Sequence, residues 1–258
     1  MISYENLSFH YFRREYFKVR EEYLQELNKL KPEKGLVDVE KFKKKAYSAW
    51  NYGVIKPKMH IIFGNAKLPK TTCIVNLGTW FNCPGRKEGW CEICKECYDK
   101  QIEVRFKDRT IDRLEHEIYW RRVDAFIFAK VLINRIRKQN KKSRNKINLI
   151  RWAEVGDIRN QKDLEKIVKV SNIVYNALGI KSYIYTHNKN LNFNIERPHL
   201  TINGSGFMVD NEYRVVKDKE KEFNNLSDLS NKRECVCDCT QCSYCSNKNN
   251  FIIIEELR

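Results

Sequence analysis

The sequence contains no apolar run that approaches the ~20 residues a membrane-spanning helix needs. Its N-terminus, from Met1 to Glu5, lacks the basic and then apolar layout of a secretory signal. Internal repeats and low-complexity tracts are also missing, and 42% hydrophobic with 32% charged residues is typical of a folded chain. These absences predict a cytoplasmic protein without a membrane segment.

Acidic side chains are scarce relative to basic ones. The 258 residues include 33 Asp and Glu against 49 Lys and Arg, a formal net charge of +16. Residues 130–146 contain eight basic side chains and no acid, and such a patch attracts polyanions. We expect DNA or RNA to bind there, through Lys138, Lys141, Lys142 and Arg144. The alternative is a solvated helix end, where basic side chains complement the helix C-terminus.

Cysteine, in contrast, is plentiful, and nine of the ten cysteines fall in two short motifs. The first cysteine motif is C-x7-C-x2-C-x2-C and consists of Cys83, Cys91, Cys94 and Cys97. The second cysteine motif is C-x-C-x-C-x2-C-x2-C and consists of Cys235, Cys237, Cys239, Cys242 and Cys245. A disulfide framework spreads its cysteines so that bridges close loops, whereas closely spaced thiolates converge on one metal. The spacing predicts two metal-binding segments, at residues 83–97 and 235–245.

The order of the cysteines favours an iron–sulfur cluster over zinc, although both accept four thiolates. Structural zinc sites usually bring two separated C-x2-C pairs. Both motifs here contain a C-x2-C-x2-C run instead, as ferredoxin-type four-iron sites do. We therefore expect one or two [4Fe–4S] clusters, with zinc as the alternative. In the second motif Cys239, Cys242 and Cys245 are the expected ligands, and either Cys235 or Cys237 is the fourth.

The hydrophobic pattern divides the chain into an N-terminal helical segment, residues 1–56, and an α/β domain, residues 57–258. Helical periodicity runs from 108 to about 138 and again from 160 to 178, where Gly179 marks a helix end. Short runs typical of strands lie at 59–63, 72–77, 147–152, 181–185, 199–202, 213–216 and 251–255. A polar stretch, 217–233, is predicted to be a linker. Alternating strands and helices predict parallel strands with right-handed crossovers, so the expected fold is α/β, a partial or complete β/α barrel.

Small and polar residues follow several of these strands. In parallel α/β folds the working residues lie just past the carboxyl ends of strands, so we expect a ligand pocket there. Its candidate ligand-binding residues are Asn76, Thr186, His187, Asn203 and Ser205. Glu154 and Asp157 are the candidate catalytic residues, as a general base or as cation ligands. The alternative is ordinary loop composition, with Asp157 as a helix cap.

Several short motifs, in their order along the chain, resemble a phage-encoded family named gene product 88-like. They are Asn82-Cys83-Pro84-Gly85, Cys94-Lys95-Glu96-Cys97-Tyr98, Arg151 with Gly156-Asp157, Tyr183-Ile184-Tyr185-Thr186, Asn203-Gly204-Ser205-Gly206 and Cys239-x2-Cys242-x2-Cys245. The resemblance covers residues 70–258 and departs from the family pattern at His187, where lysine is expected. It implies a virus or mobile-element origin and supplies no reaction.

The expected function combines these features. We expect an iron–sulfur protein of a virus or mobile element that acts in nucleic-acid metabolism, and an enzyme if the strand-end pocket is catalytic. The alternative is a non-catalytic module in which zinc stabilises both motifs and the basic patch binds nucleic acid. The sequence does not indicate an oligomeric state.

Overall fold

A computed structural model describes residues 58–80, 82–91, 97–105, 107–226, 230–240 and 242–256. The predicted N-terminal helical segment and Cys94 lie outside these residues. By its contacts the chain divides into two compact units, residues 1–56 with 95–112 and residues 57–94 with 113–258. The second unit contains the sheet and most of the candidate site residues.

The second unit is built on an eight-stranded, mostly parallel sheet. The strands are β1 (Ile62–Phe63), β2 (Thr72–Val75), β3 (Leu149–Trp152), β4 (Lys181–Thr186), β5 (Leu200–Ser205), β6 (Asn211–Val216), β7 (Lys232–Glu234) and β8 (Ile252–Glu256). Their order is β1-β2-β3-β4-β5-β6-β8-β7, and β1 alone is antiparallel to its neighbour. Because β1 and β7 are the two edges of the described sheet, these strands form an open sheet and a barrel is not shown.

Six helices accompany the sheet in the described part of the chain. They are α1 (Pro84–Lys87), α2 (Tyr98–Arg105), α3 (Lys107–Arg122), α4 (Ala125–Lys142), α5 (Gln161–Leu178) and α6 (Lys219–Asn225). The predicted helix 160–178 is confirmed as α5, which begins after Asn160, whose side chain accepts the Asp163 N–H, and ends at Gly179. Neutralising the first-turn N–H groups in this way is what favours Asn at a helix start.

One face of the sheet packs against α4 and α5. Trp152 of β3 is fully buried there, stacked on Phe128 of α4 at 6.1 Å between ring centroids. Its indole N–H donates to Ser171 of α5 at 3.3 Å. The core is made of such apolar side chains from alternate strand positions and from the helix faces towards them, since side chains two apart on a strand share a face.

The opposite face of the same strands is polar. Strand pairing sets Tyr185 beside Asn203 and Asn203 beside Asn211, and sets Arg151 beside Tyr183. Parallel sheets are normally covered on both faces. Here residues 244–247, within the C-terminal cysteine-rich segment, hydrogen-bond to this polar face. A metal-binding segment thus occupies the place of a second helical layer.

An unusually short connection joins two parallel strands. Only residues 206–210 separate β5 from β6, whereas parallel neighbours ordinarily need a dozen or more connecting residues. The chain folds back over Gly204, where a Cβ would lie 2.2 Å from the carbonyl oxygen of Phe207. Asp210 then accepts the Ile202 N–H at 2.8 Å and ion-pairs with Arg197. Glycine at 204 is therefore a steric requirement of this connection.

Two of the predicted elements differ from the structure. The helix predicted over 108–138 is two helices, because the Asp124 side chain accepts the N–H groups of Phe126 and Ile127 and starts α4 anew. The stretch 217–233, predicted to be a linker, contains α6 and the edge strand β7. In both places a polar side chain or a polar strand carries the structure, and apolar periodicity does not report it.

Candidate metal centres

The described cysteines of the first motif lie around Gly85. Cys83 directly precedes α1, and the Cys91 N–H donates to the Gly85 carbonyl oxygen at 3.0 Å. A Cβ at Gly85 would lie 3.3 Å from the Cβ of Cys91 and 3.8 Å from the Sγ of Cys83. The missing side chain therefore lets both cysteines approach one point. Cys97 is described but belongs to the other compact unit.

A buried acid fixes the loop that leads into Cys83. Glu117 of α3 is 2% exposed, and its Oε2 accepts the Thr79 N–H at 3.2 Å and the Asn82 side-chain amide at 3.1 Å. Its other carboxylate oxygen pairs with Arg121. A buried carboxylate with these partners holds the loop in one conformation.

Asp157 is locked in place at the carboxyl edge of the sheet. The side chain is 4% exposed, and Oδ1 accepts the Thr186 hydroxyl at 2.6 Å and the Ile158 N–H at 2.6 Å. Oδ2 accepts the His187 N–H at 2.9 Å and lies 3.6 Å from Nδ1 of the same histidine. Thr186 is itself held by the Asn188 N–H at 3.1 Å. Asp157 is not the helix cap, because Asn160 has that role.

Asp157 and His187 adjoin the first cysteine motif. A Cβ at Gly85 would lie 3.5 Å from Oδ2 of Asp157. Burial alone would lower the pKa of His187, but hydrogen bonds with Asp157 and Cys91 raise it to about 10. Burial raises the pKa of Cys83 well above its ordinary value, and the negative charge of Asp157 raises it further. Two thiols, one imidazole and one carboxylate thus converge at this edge.

The second cysteine motif is held to the sheet by its backbone. The Cys235 N–H donates to Ile254 of β8 at 2.8 Å, and the Cys239 N–H donates to Lys67 at 3.2 Å. Asn203 of β5 donates to the Cys245 carbonyl oxygen at 2.9 Å. These three contacts fix the ends and the middle of the motif independently.

Three polar side chains of β5 and β6 secure the 3-10 turn Tyr244–Ser246, in which Cys245 lies. Thr201 donates to the Ser246 carbonyl at 3.1 Å. Asn211 donates to the carbonyl oxygen of Asn247 at 2.8 Å and to the side-chain oxygen of Asn203 at 2.9 Å. The polar face described above is therefore a docking surface for the backbone that carries Cys245.

Four thiols of the second motif are mutual neighbours. Burial raises the pKa of Cys245 to about 12, with the Tyr185 hydroxyl lowering it and the charges of Cys235, Cys239 and Cys242 adding to the rise. Burial likewise raises the pKa of Cys235 to about 11. Thiols that oppose each other's ionisation in this way are stabilised as thiolates by a bound cation.

Cys237 has a different environment. Its backbone has φ +56°, and its Sγ donates to Oε1 of Glu255 at 3.2 Å. The ligand atoms of Cys235, Cys237 and Glu255 lie within 4.8 Å of one another, so this trio is also a candidate cation site. Glu255 is already engaged by Tyr213 and by Lys67, which is why we favour the set of four thiols with Cys235.

Arg151 provides positive charge next to the second motif. It lies over the Tyr185 ring, 5.1 Å from its centroid, and hydrogen-bonds with Tyr183. Its Nε is buried without a hydrogen-bond partner, and its charge lowers the pKa of Cys239 against the larger effect of burial, which raises it. An arginine held in this way offsets part of the negative charge that four thiolates bring.

The strand-end residues expected to form one pocket have separate roles. Asn76 accepts the Val155 N–H at 3.0 Å and ties the loop after β3 to β2. Glu154 accepts a hydrogen bond from Asn65, and Ser205 pairs with Tyr213 across the sheet. Thr186 and His187 adjoin the first cysteine motif, whereas Asn203 belongs to the second. Arg151 and Asn211 were not predicted as site residues; the only signal for them is polarity at alternate strand positions.

The basic patch is exposed along the end of α4. Lys138, Lys141, Lys142 and Arg144 are all exposed. Lys138 and Lys142 border a groove of about 210 Å³ whose other lining residues are Ile61, Phe63, Arg135 and Gln139. The groove therefore joins cationic side chains to an aromatic ring, the two features that bind single-stranded nucleic acid.

None of the described helices is both long and apolar enough to cross a membrane.

A family model described as Gene product 88 matches residues 27–246. The match includes all of the first cysteine motif, both strand-end carboxylates and all of the second motif. No curated protein and no solved structure matches the chain.

Proposed function

This chain belongs to the Gene product 88 family, and we propose that it is an iron–sulfur protein of a virus or mobile element that acts in nucleic-acid metabolism. The observation that carries the proposal is the convergence of four buried thiols on the polar face of the sheet. Cys235, Cys239, Cys242 and Cys245 are the proposed ligands. We place the protein in the cytoplasm, where reducing conditions keep thiols available for metal.

The residues present fit a thiolate-bound iron cluster. Four thiols are neighbours, a cation would relieve their mutual repulsion, and Arg151 offsets part of the remaining negative charge. When bound, a [4Fe–4S] cluster supplies either electron transfer or a crosslink between loop and sheet. The chain's own contribution is to anchor the four backbone positions, chiefly through Ile254, Lys67 and Asn203. The first motif adds a second metal–thiolate centre at the carboxyl edge, with Cys83, Cys91, Cys94 and Cys97 as its candidate ligands.

Anaerobic purification with metal analysis and a visible absorption spectrum tests the proposal. We expect several irons per chain and a broad band near ~400 nm that bleaches on reduction. Cys239→Ser and Cys242→Ser should each lose most of that band. Cys237→Ser is the matched control, because it changes a cysteine of the same segment that we place outside the ligand set, and it should keep the band.

A colourless chain that retains zinc would contradict the cluster and favour the alternative, a zinc-stabilised nucleic-acid-binding module. Loss of the band in Cys237→Ser with retention in Cys235→Ser would instead reassign the fourth ligand and leave the cluster standing.

The nucleic-acid part of the proposal rests on the exposed patch of α4. Replacing Lys138, Lys141, Lys142 and Arg144 by glutamate should weaken binding of a fluorescent single-stranded oligonucleotide and flatten the dependence of affinity on salt. The matched control replaces Lys162, Lys169, Lys181 and Lys189, which are also exposed, and changes the net charge equally. If both variants lose affinity to the same degree, net charge and not the patch is responsible.

A catalytic role, which the metal centres do not require, belongs at the carboxyl edge of the sheet. Glu154 is the better general base of the two candidates, because it is partly exposed and accepts from Asn65 alone among the contacts described. Asp157 is buried and both of its oxygens accept hydrogen bonds. Glu154→Gln should therefore abolish any hydrolytic activity found while leaving the metal content unchanged.

A further inference from the structure

The group at the carboxyl edge contains a side chain that no cysteine spacing includes. His187 follows β4 directly, hydrogen-bonds with Cys91, and has Nδ1 3.6 Å from Oδ2 of Asp157. Its side chain is 29% exposed, so the ring borders solvent on one side. The imidazole is thus placed between a cysteine of the first motif and a fixed carboxylate.

We propose that Cys83, Cys91 and His187 are three ligands of one zinc ion, and that Asp157 is a positioning residue that orients the imidazole. This inference concerns the first motif alone and does not depend on the cluster proposed for the second. It leaves the fourth position of a tetrahedral ion to a ligand outside this trio.

The donor chemistry fits zinc. Two thiolates and one imidazole form a set that Zn²⁺ accepts in tetrahedral sites. A metal-bound histidine almost always gives its second ring nitrogen to a carboxylate or a carbonyl, which fixes the ring. The Nδ1 of His187 faces such a carboxylate, and the other ring nitrogen is the one that would bind the ion.

The rigidity of Asp157 supports the positioning role. Thr186, Ile158 and the His187 backbone all donate to it, and the Asn188 N–H occupies the Thr186 oxygen so that the hydroxyl hydrogen is directed to the carboxylate. Gly85 brings the two cysteines and Asp157 within 3.3–3.8 Å of its own missing Cβ. The contacts that hold this group are therefore present in the protein fold itself.

Zinc analysis combined with zinc-edge X-ray absorption tests the inference. The wild type should contain zinc with a mixed shell of sulfur and imidazole. His187→Ala should lose about one zinc per chain without loss of iron. His187→Cys should regain that zinc with an all-sulfur shell. The control is His199→Ala, whose ring stacks on Tyr175 at 3.5 Å and precedes β5 at the opposite edge of the sheet; its zinc content should not change.

Asp157→Asn separates the positioning role from ligation. It should keep the imidazole in the zinc shell and weaken zinc binding about 10–100-fold in competition with a chelator. Far-UV circular dichroism of each variant verifies that the helices are intact.

Two results would overturn the inference. One is zinc content and shell unchanged in His187→Ala; the other is a wild type without zinc at the first motif. A failed iron–sulfur proposal is distinguishable from both, because zinc in both motifs would drop from about two to about one per chain in His187→Ala.

Discussion

Asn203 connects the sheet to the second cysteine motif through a single amide. Its two N–H hydrogens are donated to Ile184 of β4 and to Cys245, and its oxygen accepts from Asn211. The side chain is fully buried. A buried amide with all partners satisfied rigidifies its surroundings, whereas the same site with one partner missing is costly.

Asn203→Asp replaces the two donors by acceptors without changing the shape of the side chain. We expect a loss of about 1–3 kcal/mol in the free energy of unfolding, because buried carbonyls lose their donors. We also expect less metal in the second motif, since a negative charge then faces Cys245. Anaerobic urea unfolding and metal analysis measure the two effects. Asn190→Asp, at an exposed position, is the control and should change neither.

His116 is a buried titratable group outside both metal centres. Its Nδ1 accepts the His60 N–H at 2.9 Å and its ring meets Phe128 edge-on at 5.8 Å. Burial lowers the pKa of His116 to about 3. The unfolded chain takes up a proton near the ordinary pKa of ~6.5, so the folded state loses stability as the pH falls from about 6.5 towards 3.

The expected slope from His116 is at most about 1.4 kcal/mol per pH unit. His116→Asn keeps an acceptor for the His60 N–H but cannot titrate, so its stability should depend less on pH by about one proton. Urea unfolding at pH 7 and pH 5 compares the two chains. Equal slopes would show that another group is responsible for the acid sensitivity.

At the scale of elements, the return between β5 and β6 depends on two glycines in different ways. Gly204→Ala would place a Cβ 2.2 Å from the Phe207 carbonyl oxygen, so the backbone must move. Gly206→Ala meets no atom within 4 Å, although its φ of +79° costs about 1–2 kcal/mol. We expect Gly204→Ala to lower the melting temperature well beyond Gly206→Ala. Equal effects in thermal unfolding would mean that the connection relaxes around residue 204.

Sequence patterns predicted the elements whose local signals are strong. The apolar stripe and Gly179 were enough to predict α5, and apolar runs located the buried strands of the sheet. The edge strand β7 is Lys-Arg-Glu, which has no strand signal of its own; it is a strand because it pairs with the apolar β8. The Asp124 cap was invisible inside a continuous apolar pattern.

The same division holds for the sites. Cysteine spacing predicted both motifs, because thiols that share a metal are close in sequence. It did not predict that Asp157 and His187 adjoin Cys83 and Cys91, or that Asn203 holds Cys245. Those contacts join residues far apart in the chain and depend on which strands become neighbours. Expectation of a single strand-end pocket failed to separate residues that serve two different cysteine motifs.

At the scale of the whole molecule, the sheet is covered by unlike layers. One face has the apolar contacts of α4 and α5, such as Trp152 on Phe128. The other has a short polar segment that is fixed by hydrogen bonds and, as we propose, by a metal. The helical layer buries far more apolar surface and should be the more stable of the two.

Metal removal should therefore release one layer and not both. We expect anaerobic treatment with a strong chelator to expose residues 235–250 to limited proteolysis and to raise amide hydrogen exchange there, while α5 stays protected. Hydrogen exchange measured by mass spectrometry reports both regions in one experiment. Loss of protection in α5 at the same chelator concentration would show that the metal stabilises the entire fold.

The position of β8 has a consequence for how the protein is made. β8 follows β7 in the chain yet lies between β6 and β7 in the sheet, and the second cysteine motif is the loop between them. During synthesis its cysteines leave the ribosome before the strand that completes their platform. The thiols of a nascent chain therefore wait for β8 before they can gather over the sheet, and assembly of their metal centre is a step that follows translation of this segment.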